Sequence, residues 1–477
     1  MSFQRDLAWE YLELRERASI SRRFARYALG LKYEMLPSEV VHCAKRCLLD
    51  ALGCAIGAYQ APGRPMMEKA IRELGGPSEA SLFGSGLRTS ALNATLFNSF
   101  LVRFLDFNDL GGGGHNSDSI PGILAVAEKV KATGRDLLLA IVLSYELGDR
   151  VSSSHTAPRG QGRSLDMDCR GGISMPPVLG RLMGLSETQI ADAIGLCASH
   201  ANPLKHLDAN LEENSMAKNL RFGWVCHDAI IACLLAKNGI TGPQRVVEGE
   251  GGFGETALQG NVDYERMTEF SGWRILKVRH KYIAANITTH GHVMATLAIV
   301  QENDLKPQDI AAVRIRTGVR ESKHTTTLSK KYPRNAESAD HSAFFANALV
   351  IKERSFGHDS IIPQKFTDPV VLDLIERISV EADPTLPEFG THGISEITTK
   401  DGRKLQKRVD VPHGIGDDPL TDQELEEKFS RMASDYYGPA EIREVIDAIW
   451  HIDTSETIDR LIRLMAFSAA RHGASRD

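Results

Sequence analysis

The chain has 477 residues, more than a single hydrophobic core usually serves, so at least two lobes are expected. Its 42% apolar and 25% charged residues are ordinary for a globular protein, and a net charge of −6 without a basic block argues against nucleic acid as the main partner. No run of about 18 apolar residues indicates a membrane span, and the charged N-terminus lacks the apolar core of a secretory signal.

The first two thirds of the chain is predicted to be helical. An amphipathic helix follows Pro37 with Ser38 as its N-cap, and a second helix covers residues 135–154. Ser186 and Gln189 have capping-box spacing at the start of a third helix, and Gly239 is predicted to be the C-cap of a fourth. Small residues recur along these helices and favour close packing, so residues 1–270 are expected to form a helical domain.

The cysteine pattern indicates a reducing compartment. Seven cysteines occur, an odd number, and none forms a CxxC pair. Cys43 and Cys47 have the i, i+4 spacing of one helical face, which favours core packing over metal binding. A cytoplasmic location is therefore expected.

The pattern changes near residue 270. Residues 309–318 and 393–411 alternate apolar and polar side chains, and Lys400-Asp401-Gly402 predicts a hairpin turn within the second stretch. Helical segments lie between them, and two more helices follow Pro412. The predicted fold is mainly α: a large all-helical domain, an inserted α+β domain over 271–411, and C-terminal helices over 412–477 that return to the helical domain.

Residues 98–127, NSFLVRFLDFNDLGGGGHNSDSIPGILAVA, combine features of a proton-transfer site. Glycines let the backbone approach a ligand closely, and titratable groups beside them suit acid–base chemistry on a small polar substrate. The same residue types are also typical of a capped turn between helices. The polar residues concerned are Asp106, Asp109, His115, Ser117 and Asp118, around the glycines 111–114 and ahead of Pro121.

Three further segments carry candidate groups. Lys218 precedes a helix, with Arg221 nearby, and either meets an anion or is a solvated helix-start lysine. His290 and His292 are two residues apart, which is weak support for a metal site without HExxH-type spacing. Asp340-His341-Ser342 opens a helix whose backbone N–H groups could face an anion, although N-capping explains the same residues.

Familiar nucleotide and nucleophile motifs do not occur. The sequence has no GxGxxG after a strand, no GxxxxGK[ST] and no GxSxG. The glycine-rich GEGGFGE at 249–255 does not follow a strand, so a nucleotide site is not expected there.

Seven segments, in the correct order, resemble the 2-methylcitrate dehydratase (MmgE/PrpD) family over nearly the whole chain. They are RFLDFNDL with HNSDSIPGILAVAE, IVLSYELGDR, RLMGLSETQIADAIGLCASHA, SMAKNLRFGWVCHDAIIACLLAKNGITGP with EGEGGFGE, KYPRNAESADHSAFFANALV, FTDPVVLDLIERISVEADP and VDVPHGIGDDPLTDQELEEKFSRMA. The resemblance implies a cofactor-independent enzyme, usually a homodimer, that acts on small polycarboxylates. The Ala-Asp-His-Ser element and the loop at 106–118 resemble the dehydratase branch more than the decarboxylase branch.

The resemblance also assigns site residues. Asp106, His115, Lys218 and Lys281 match the family's polar active-site positions and are the expected catalytic residues. No metal is expected. The expected substrate-binding residues are Asp109, Ser117, Asp118, Arg221, Asn286 and His290.

Two positions depart from the family pattern. Met167 stands where relatives have a histidine, and Asn286 stands where they have His or Cys. Since Asn286 cannot act as an acid or base at neutral pH, either a neighbour such as His290 takes over or the reaction differs.

The leading hypothesis is a lyase that dehydrates a 2-methylcitrate-like hydroxy acid. The competing hypotheses are an isomerase, epimerase or decarboxylase on a related polycarboxylate, or a catalytically silent family member. Because the candidates come from both lobes, the site is expected in a cleft between them, with Lys281 within about 15 Å of His115 and Lys218. Lys218→Ala is expected to impair substrate binding or turnover far more than folding, with folding barely changed if the side chain faces a wet cleft.

Overall fold

Helices dominate the chain before residue 270 in the computed structural model, which describes residues 2–111, 114–158, 161–208, 212–387 and 390–467. The helices pack on one another through a continuous apolar core. A two-stranded antiparallel ribbon, β1 (Ala80–Ser81) and β2 (Arg88–Thr89), interrupts them. The α-helices are α1 (Ser2–Arg17), α2 (Ile20–Gly30), α3 (Ser38–Gly57), α4 (Gly63–Leu74), α5 (Ala91–Phe104), α6 (Ile120–Val130), α7 (Gly134–Ser153), α8 (Gly171–Leu182), α9 (Glu187–Ala198), α10 (Arg221–Lys237), α11 (Phe253–Thr256) and α12 (Tyr264–Met267).

The predicted cap is the observed one at Ser186, whereas the caps predicted at Ser38 and Gly239 each lie one residue away from the observed cap residue. Ser186 accepts from the backbone N–H of Gln189, whose side chain accepts from the Ser186 N–H, so the capping box is confirmed. Gly239, at φ +94°, follows the C-cap residue Asn238. The prediction for Ser38 was wrong: Pro37 occupies the N-cap position, and Ser38 is already the first helical residue.

A mixed four-stranded sheet, in the order β4-β3-β5-β6, forms the α+β part. Strands β3 (Ile310–Thr317) and β4 (Ile378–Ala382) are parallel, whereas β5 (Gly393–Thr399) and β6 (Lys404–Val409) form the predicted hairpin, with Gly402 at φ +87°. The other elements are α13 (His290–Glu302), α14 (Val319–Thr325), α15 (Leu328–Lys331), α16 (Ala336–Ala339), α17 (Ala343–Glu353), α18 (Pro363–Phe366) and α19 (Pro369–Glu376). Helix α13 packs against β5 and β6, and α17 packs against α13 and β4. The mainly α class with a small α+β part is confirmed.

The last helices are α20 (Asp422–Ala433), α21 (Pro439–Trp450) and α22 (Asp459–Leu464). Helix α20 packs along α3, which lies near the start of the chain. Short 3-10 helices complete the structure: Tyr33–Met35, Asn116–Ser119, Met167–Arg170, Lys205–Asp208, Met216–Leu220, Ile275–Lys277, Ile287–Thr289, Pro307–Asp309 and Ile452–Thr454.

One stretch of the described residues, Met216–Lys237, is long and apolar enough to cross a membrane. In this structure 61% of the apolar 18-residue window within that stretch is buried, mainly as α10 against α5, α8 and α9. A buried core helix passes the same test, so the stretch is weak support for a membrane span.

Lys428 ties α20 to three other segments. Its buried ammonium donates to Asp50 Oδ1 on α3 at 2.7 Å and to the backbone carbonyls of Phe107 and Lys281 at 2.8 and 3.0 Å. It also lies 3.8 Å from the centre of the Phe107 ring. All three ammonium donors are therefore used, and they join the end of the chain to the segments around residues 107 and 281.

We predict that Lys428→Met lowers the free energy of unfolding by about 3–5 kcal/mol, because it leaves Asp50 buried without its partner. Urea unfolding followed by circular dichroism measures this. Lys407→Met is the control, since Lys407 pairs with Glu302 at the surface and should cost less than about 1 kcal/mol. Equal losses in the two variants would contradict the prediction.

Candidate active site

A buried carboxylate, Asp106, is the centre of the candidate site. It lies two residues beyond α5, at φ +45°, a conformation that residues other than glycine rarely adopt. Lys281 supports this backbone because its ammonium donates to both the carbonyl and Oδ1 of Asp106, at 2.6 Å each. Arg103, one turn earlier on α5, donates to the same Oδ1 at 2.7 Å.

The charges around Asp106 decide its ionisation. Burial alone would raise the pKa of this carboxyl, but Arg103, Lys281 and Lys218 together hold it well below the usual range. Burial in turn lowers the pKa of Lys281, against the opposing effect of Asp106. The third donor of Lys281 goes to the Ala285 carbonyl at 3.1 Å, so its ammonium is fully engaged.

Lys218 joins this centre to a second carboxylate. Its ammonium donates to Asp340 Oδ2 at 2.5 Å and lies 3.7 Å from Asp106 Oδ2. Burial raises the pKa of Asp340 to about 7 despite the opposing Lys218 charge. The condition of a wet cleft is not met, because the Lys218 side chain is 1% exposed. We call Arg103, Asp106, His115, Lys218, Lys281 and Asp340 the Asp106 cluster.

His115 is held with one ring nitrogen toward this cluster. Its Nδ1 lies 2.9 Å from the Asp109 carbonyl, which can only accept, so Nδ1 carries the proton; Nε2 lies 3.4 Å from Asp106 Oδ1. Burial and the positive charges of Arg103 and Lys281 hold the pKa of His115 well below its ordinary value. The ring is therefore neutral at neutral pH, and Nε2 carries no proton.

Backbone pairing fixes the loop that carries His115. Leu110 and Arg279 exchange two backbone hydrogen bonds of 2.8 and 2.9 Å, which place the loop beside Lys281. Gly111 and Gly114 also exchange two, while Gly112 and Gly113 lie outside the described residues. His115 precedes the 3-10 helix Asn116–Ser119 but its side chain makes no capping bond, so the structure does not support a purely capping role.

His341 and Asn286 continue the hydrogen bonding of the Asp106 cluster beyond Asp340. His341 Nδ1 is hydrogen-bonded to Asp340 Oδ1, and Asn286 Nδ2 lies 2.8 Å from His341 Nε2. Ser342 caps α17, accepting from the Phe345 N–H. The N-capping interpretation of this segment thus holds for Ser342, whereas the two residues before it belong to the site.

Asp118 and Ser117 lie behind Arg103. Asn108 Nδ2 donates to both side chains at 2.8 Å, and Arg103 Nε lies 3.7 Å from Asp118 Oδ2. Burial raises the pKa of Asp118 to about 6. Asp118 thus contacts the cluster through Arg103, and Asn108 connects it to Ser117.

Arg221 belongs to a neighbouring group of paired charges. Its guanidinium lies 3.0 Å from both Asp166 and Asp168, and Arg170 bonds Asp168 at 2.9 Å and Asn116 at 3.2 Å. Carboxylates of the chain therefore already occupy the guanidinium that was expected to meet substrate.

Met167, the first departure from the family pattern, lies beside this loop. A Cβ on Gly114, at φ +140°, would come within 2.9 Å of the Met167 sulfur and 2.8 Å of Arg170 Nη1. The positive φ angle favours glycine at this position, which precedes His115 in the chain, and the Met167 thioether lies beside it.

The side chain of Asp109, unlike its backbone carbonyl, makes its contacts away from the Asp106 cluster. Its Oδ2 accepts from Tyr145 at 2.5 Å, and burial raises its pKa to about 7. Ligand atoms of Asp109, Cys47 and His280 lie within 4.8 Å of one another, the spacing of a possible metal site. Its substrate-binding role stays a prediction.

His290 and His292, the two histidines considered as metal ligands, bond to different partners. His290 Nε2 bonds the Ala285 carbonyl at 3.1 Å, and His292 Nδ1 faces Asn347 at 2.8 Å. Burial lowers their pKa values to about 3 and about 4. Neither belongs to a possible three-ligand metal group within the described residues.

A second potential metal group coincides with the Asp106 cluster. Asp106, Asp340 and His341 offer ligand atoms within 4.8 Å of one another. The ammoniums of Lys218 and Lys281 already supply positive charge to these carboxylates, as a metal ion would.

The structure brings together the four expected catalytic residues, Asp106, His115, Lys218 and Lys281. Because His115, Lys218 and Lys281 all contact the Asp106 carboxylate, Lys281 lies within the expected distance of about 15 Å of both His115 and Lys218. Sequence reasoning missed Arg103, and it considered Asp340 and His341 only as part of a helix start whose backbone N–H groups could face an anion. The i, i+3 spacing of Arg103 and Asp106 was the available signal for the first.

A mainly helical protein, with a buried acid–base cluster formed by its helical and α+β parts, is the class that these features define. The chain belongs to the MmgE/PrpD family: the MmgE/PrpD N-terminal domain matches residues 22–265 and the MmgE/PrpD C-terminal domain matches residues 283–452. The family prediction is confirmed.

The relatives are enzymes. The chain is 25% identical to cis-aconitate decarboxylase of Homo sapiens over 94% of each protein. It is 23% identical to the mitochondrial 2-methylcitrate dehydratase of Yarrowia lipolytica, over 90% of this chain and 88% of that one. It is 24% identical to 2-methylcitrate dehydratase of Salmonella typhi, over 49% of this chain and 50% of the relative.

We predict that Asp109→Asn stabilises the protein above neutral pH but not in acid. The pKa of Asp109 is about 7 in the fold against 3.8 as its ordinary value, so the folded state keeps a proton that the unfolded chain loses. Its contribution to stability therefore falls as pH rises from about 4 to about 7, on the order of 4 kcal/mol in total. Unfolding free energies of wild type and variant across this range measure the difference.

The control is Asp453→Asn. Lys45 outweighs burial there and lowers the pKa of Asp453, so this variant should lose stability above pH 4. A pH-independent difference between Asp109→Asn and wild type would refute the assignment of Asp109 as a buried, protonated acid.

Proposed function

We propose that the protein is a lyase acting on a small polycarboxylate, with dehydration of a 2-methylcitrate-like hydroxy acid as its leading reaction. The observation that carries the proposal is the neutral His115 ring beside a buried cluster of lysine ammoniums and carboxylates, with Nε2 directed at that cluster. Removal of a proton next to a carboxylate needs a base and nearby positive charge, and both are present.

His115 is the proposed base. Its Nδ1 bond to the Asp109 carbonyl fixes the tautomer and leaves the Nε2 lone pair available. Its lowered pKa keeps it unprotonated at neutral pH, so it accepts the proton α to a substrate carboxylate. A protonated group of the cluster then returns a proton to the departing hydroxyl.

Lys218 is the proposed partner of a substrate carboxylate. It makes one short bond, to Asp340, and keeps further donor capacity, whereas all three donors of Lys281 are engaged. Lys218 lies near two carboxylates, Asp340 and Asp106. Asp340 takes up a proton more readily than Asp106, because its pKa is raised to about 7, and protonation of Asp340 would release Lys218. Lys281 acts mainly by holding Asp106.

Decarboxylation is the second candidate. Cis-aconitate decarboxylase from Homo sapiens covers 94% of this chain at 25% identity, so the same scaffold supports that reaction in a relative. In that reaction the cluster would stabilise the charge left by departing carbon dioxide and supply a proton. Epimerisation or isomerisation of a related polycarboxylate would use the same base, whereas a catalytically silent protein would turn over none of these acids.

Incubation with 2-methylcitrate, citrate, cis-aconitate and iminodisuccinate in deuterium oxide, followed by NMR, separates these reactions. New vinyl signals from a hydroxy acid indicate dehydration. Loss of carbon dioxide from cis-aconitate indicates decarboxylation, and deuterium exchange without net reaction indicates an epimerase. No change with any of these acids would overturn the proposal.

Further proposals accompany this function. The domain division at 271 and 411, with the α+β domain inserted into the helical one, remains a proposal. A homodimer without nucleic acid or membrane partners, a cytoplasmic location and activity without metal or cofactor are also proposed. Activity lost on chelation and restored by a divalent ion would contradict the last.

We predict that His115→Asn lowers kcat by about 10²–10⁴-fold while substrate binding stays measurable, because the proton acceptor is gone. Steady-state kinetics and calorimetric binding measure the two effects. His451→Asn is the matched control, since that exposed ring also bonds a backbone carbonyl at 2.9 Å, that of Asp447, but lies outside the site. An active His115→Asn enzyme would remove His115 from the catalytic residues.

We predict that substitution of Lys218 mainly affects catalysis, whereas substitution of Lys281 mainly affects stability. Lys218→Met should lower kcat/KM about tenfold to a hundredfold, the scale of one lost charged hydrogen bond, with little loss of stability because Asp340 can take up a proton. Lys281→Met should cost about 3–5 kcal/mol of stability, because Asp106 stays ionised and loses a buried partner. Kinetics and urea unfolding of both variants, compared with wild type, check this; a reversed pattern would exchange the two roles.

A further inference from the structure

Asn286, the second departure from the family pattern, is bound to the Asp340–His341 segment twice. Its backbone N–H donates to the Asp340 carbonyl at 2.7 Å, and its side-chain Nδ2 lies 2.8 Å from His341 Nε2. It also caps the 3-10 helix Ile287–Thr289. One residue thus joins the start of that helix to the segment that carries Asp340.

The cap determines which way the amide faces. Asn286 Oδ1 accepts from the backbone N–H of Thr288 at 3.0 Å and from the Thr288 hydroxyl at 2.7 Å. A backbone N–H can only donate, so the atom facing it must be the amide oxygen. The NH₂ group is therefore the one that faces His341.

This orientation fixes the proton on His341. An amide N–H can only donate, so His341 Nε2 must accept and carries no proton. The proton of the neutral ring is then on Nδ1, where it is donated to Asp340 Oδ1. A doubly protonated ring would bring two N–H groups face to face at 2.8 Å.

We propose that Asn286 is a positioning residue that locks His341 in the Nδ1–H tautomer, so that His341 donates to Asp340 and does not serve as a base itself. Asp340 then accepts from His341 at one oxygen and from Lys218 at the other. Among the described residues of the Asp106 cluster, His115 is then the histidine whose Nε2 faces Asp106. The kinetic consequence rests on the proposed function, whereas the tautomer does not.

The wild-type protein tests the tautomer directly. Protein labelled with ¹⁵N at histidine gives two-bond proton–nitrogen correlations that distinguish a protonated from an unprotonated ring nitrogen, and His341→Gln identifies the His341 signals by their loss. A neutral ring with the proton on Nδ1 is expected at neutral pH. A proton on Nε2, or on both nitrogens, overturns the proposal whether or not the protein has the proposed activity.

Asn286→Asp is the sharpest variant because it keeps the cap acceptor for Thr288 but replaces the donor facing His341 by an acceptor. Nε2 should become protonated and donate to the new carboxylate while Nδ1 keeps its proton for Asp340. The kcat should fall about tenfold or more, the scale of one hydrogen bond to a charged group, with KM changed less. Asn335→Asp is the matched control: Asn335 also caps a helix, but its Nδ2 donates to the Asn214 carbonyl. That variant should leave the His341 signals unchanged.

The experiments distinguish failure of the tautomer proposal from failure of the proposed function. Unchanged His341 signals in Asn286→Asp would overturn the positioning role. Protonation of Nε2 in Asn286→Asp with unchanged kcat would keep the tautomer lock but remove its importance for turnover. A wild-type protein inactive on every polycarboxylate, yet with the expected tautomer, would overturn the proposed function and leave the lock intact.

Discussion

The buried negative charge of Asp106 is the constraint on which the site depends. An ionised carboxylate inside a protein is strongly destabilised unless cations and hydrogen-bond donors surround it. Arg103 from the preceding helix and Lys281 from a distant segment supply them, at 2.7 and 2.6 Å. Because Lys281 also holds the Asp106 carbonyl, the same interaction stabilises an unusual backbone conformation at the end of α5.

Two buried lysines, Lys281 and Lys428, connect the Asp106 site to other segments of the chain. Lys281 and Lys428 each use three donors, and their acceptors belong to residues 50, 106, 107, 281 and 285. Most of these acceptors are backbone carbonyls, so the lysines position chain segments as well as side chains. Helix α20 thereby supports the site without placing a group in it, whereas Lys218 makes one short bond and keeps further donor capacity.

Much of the fold could be predicted because it follows from local chemistry. The capping box at Ser186, the hairpin around Gly402 and the long apolar helices depend on a few neighbouring residues each. Strand β4 could not be: it follows α19 after a single residue, and only Ile378 among its five residues is buried. Its partner is the distant β3, so its strand character comes from tertiary pairing rather than from its own pattern.

The sequence by itself determined the family, the mainly helical class and the four residues that meet at the centre of the site. Only the tertiary structure decided how they are used: that Lys218 is buried and pairs with Asp340, that the donors of Lys281 are all engaged, and that Asn286 faces a histidine. The physical reason is that protonation and hydrogen-bond capacity depend on burial and on distances of a few ångströms between groups far apart in the chain. Such distances are absent from any local pattern.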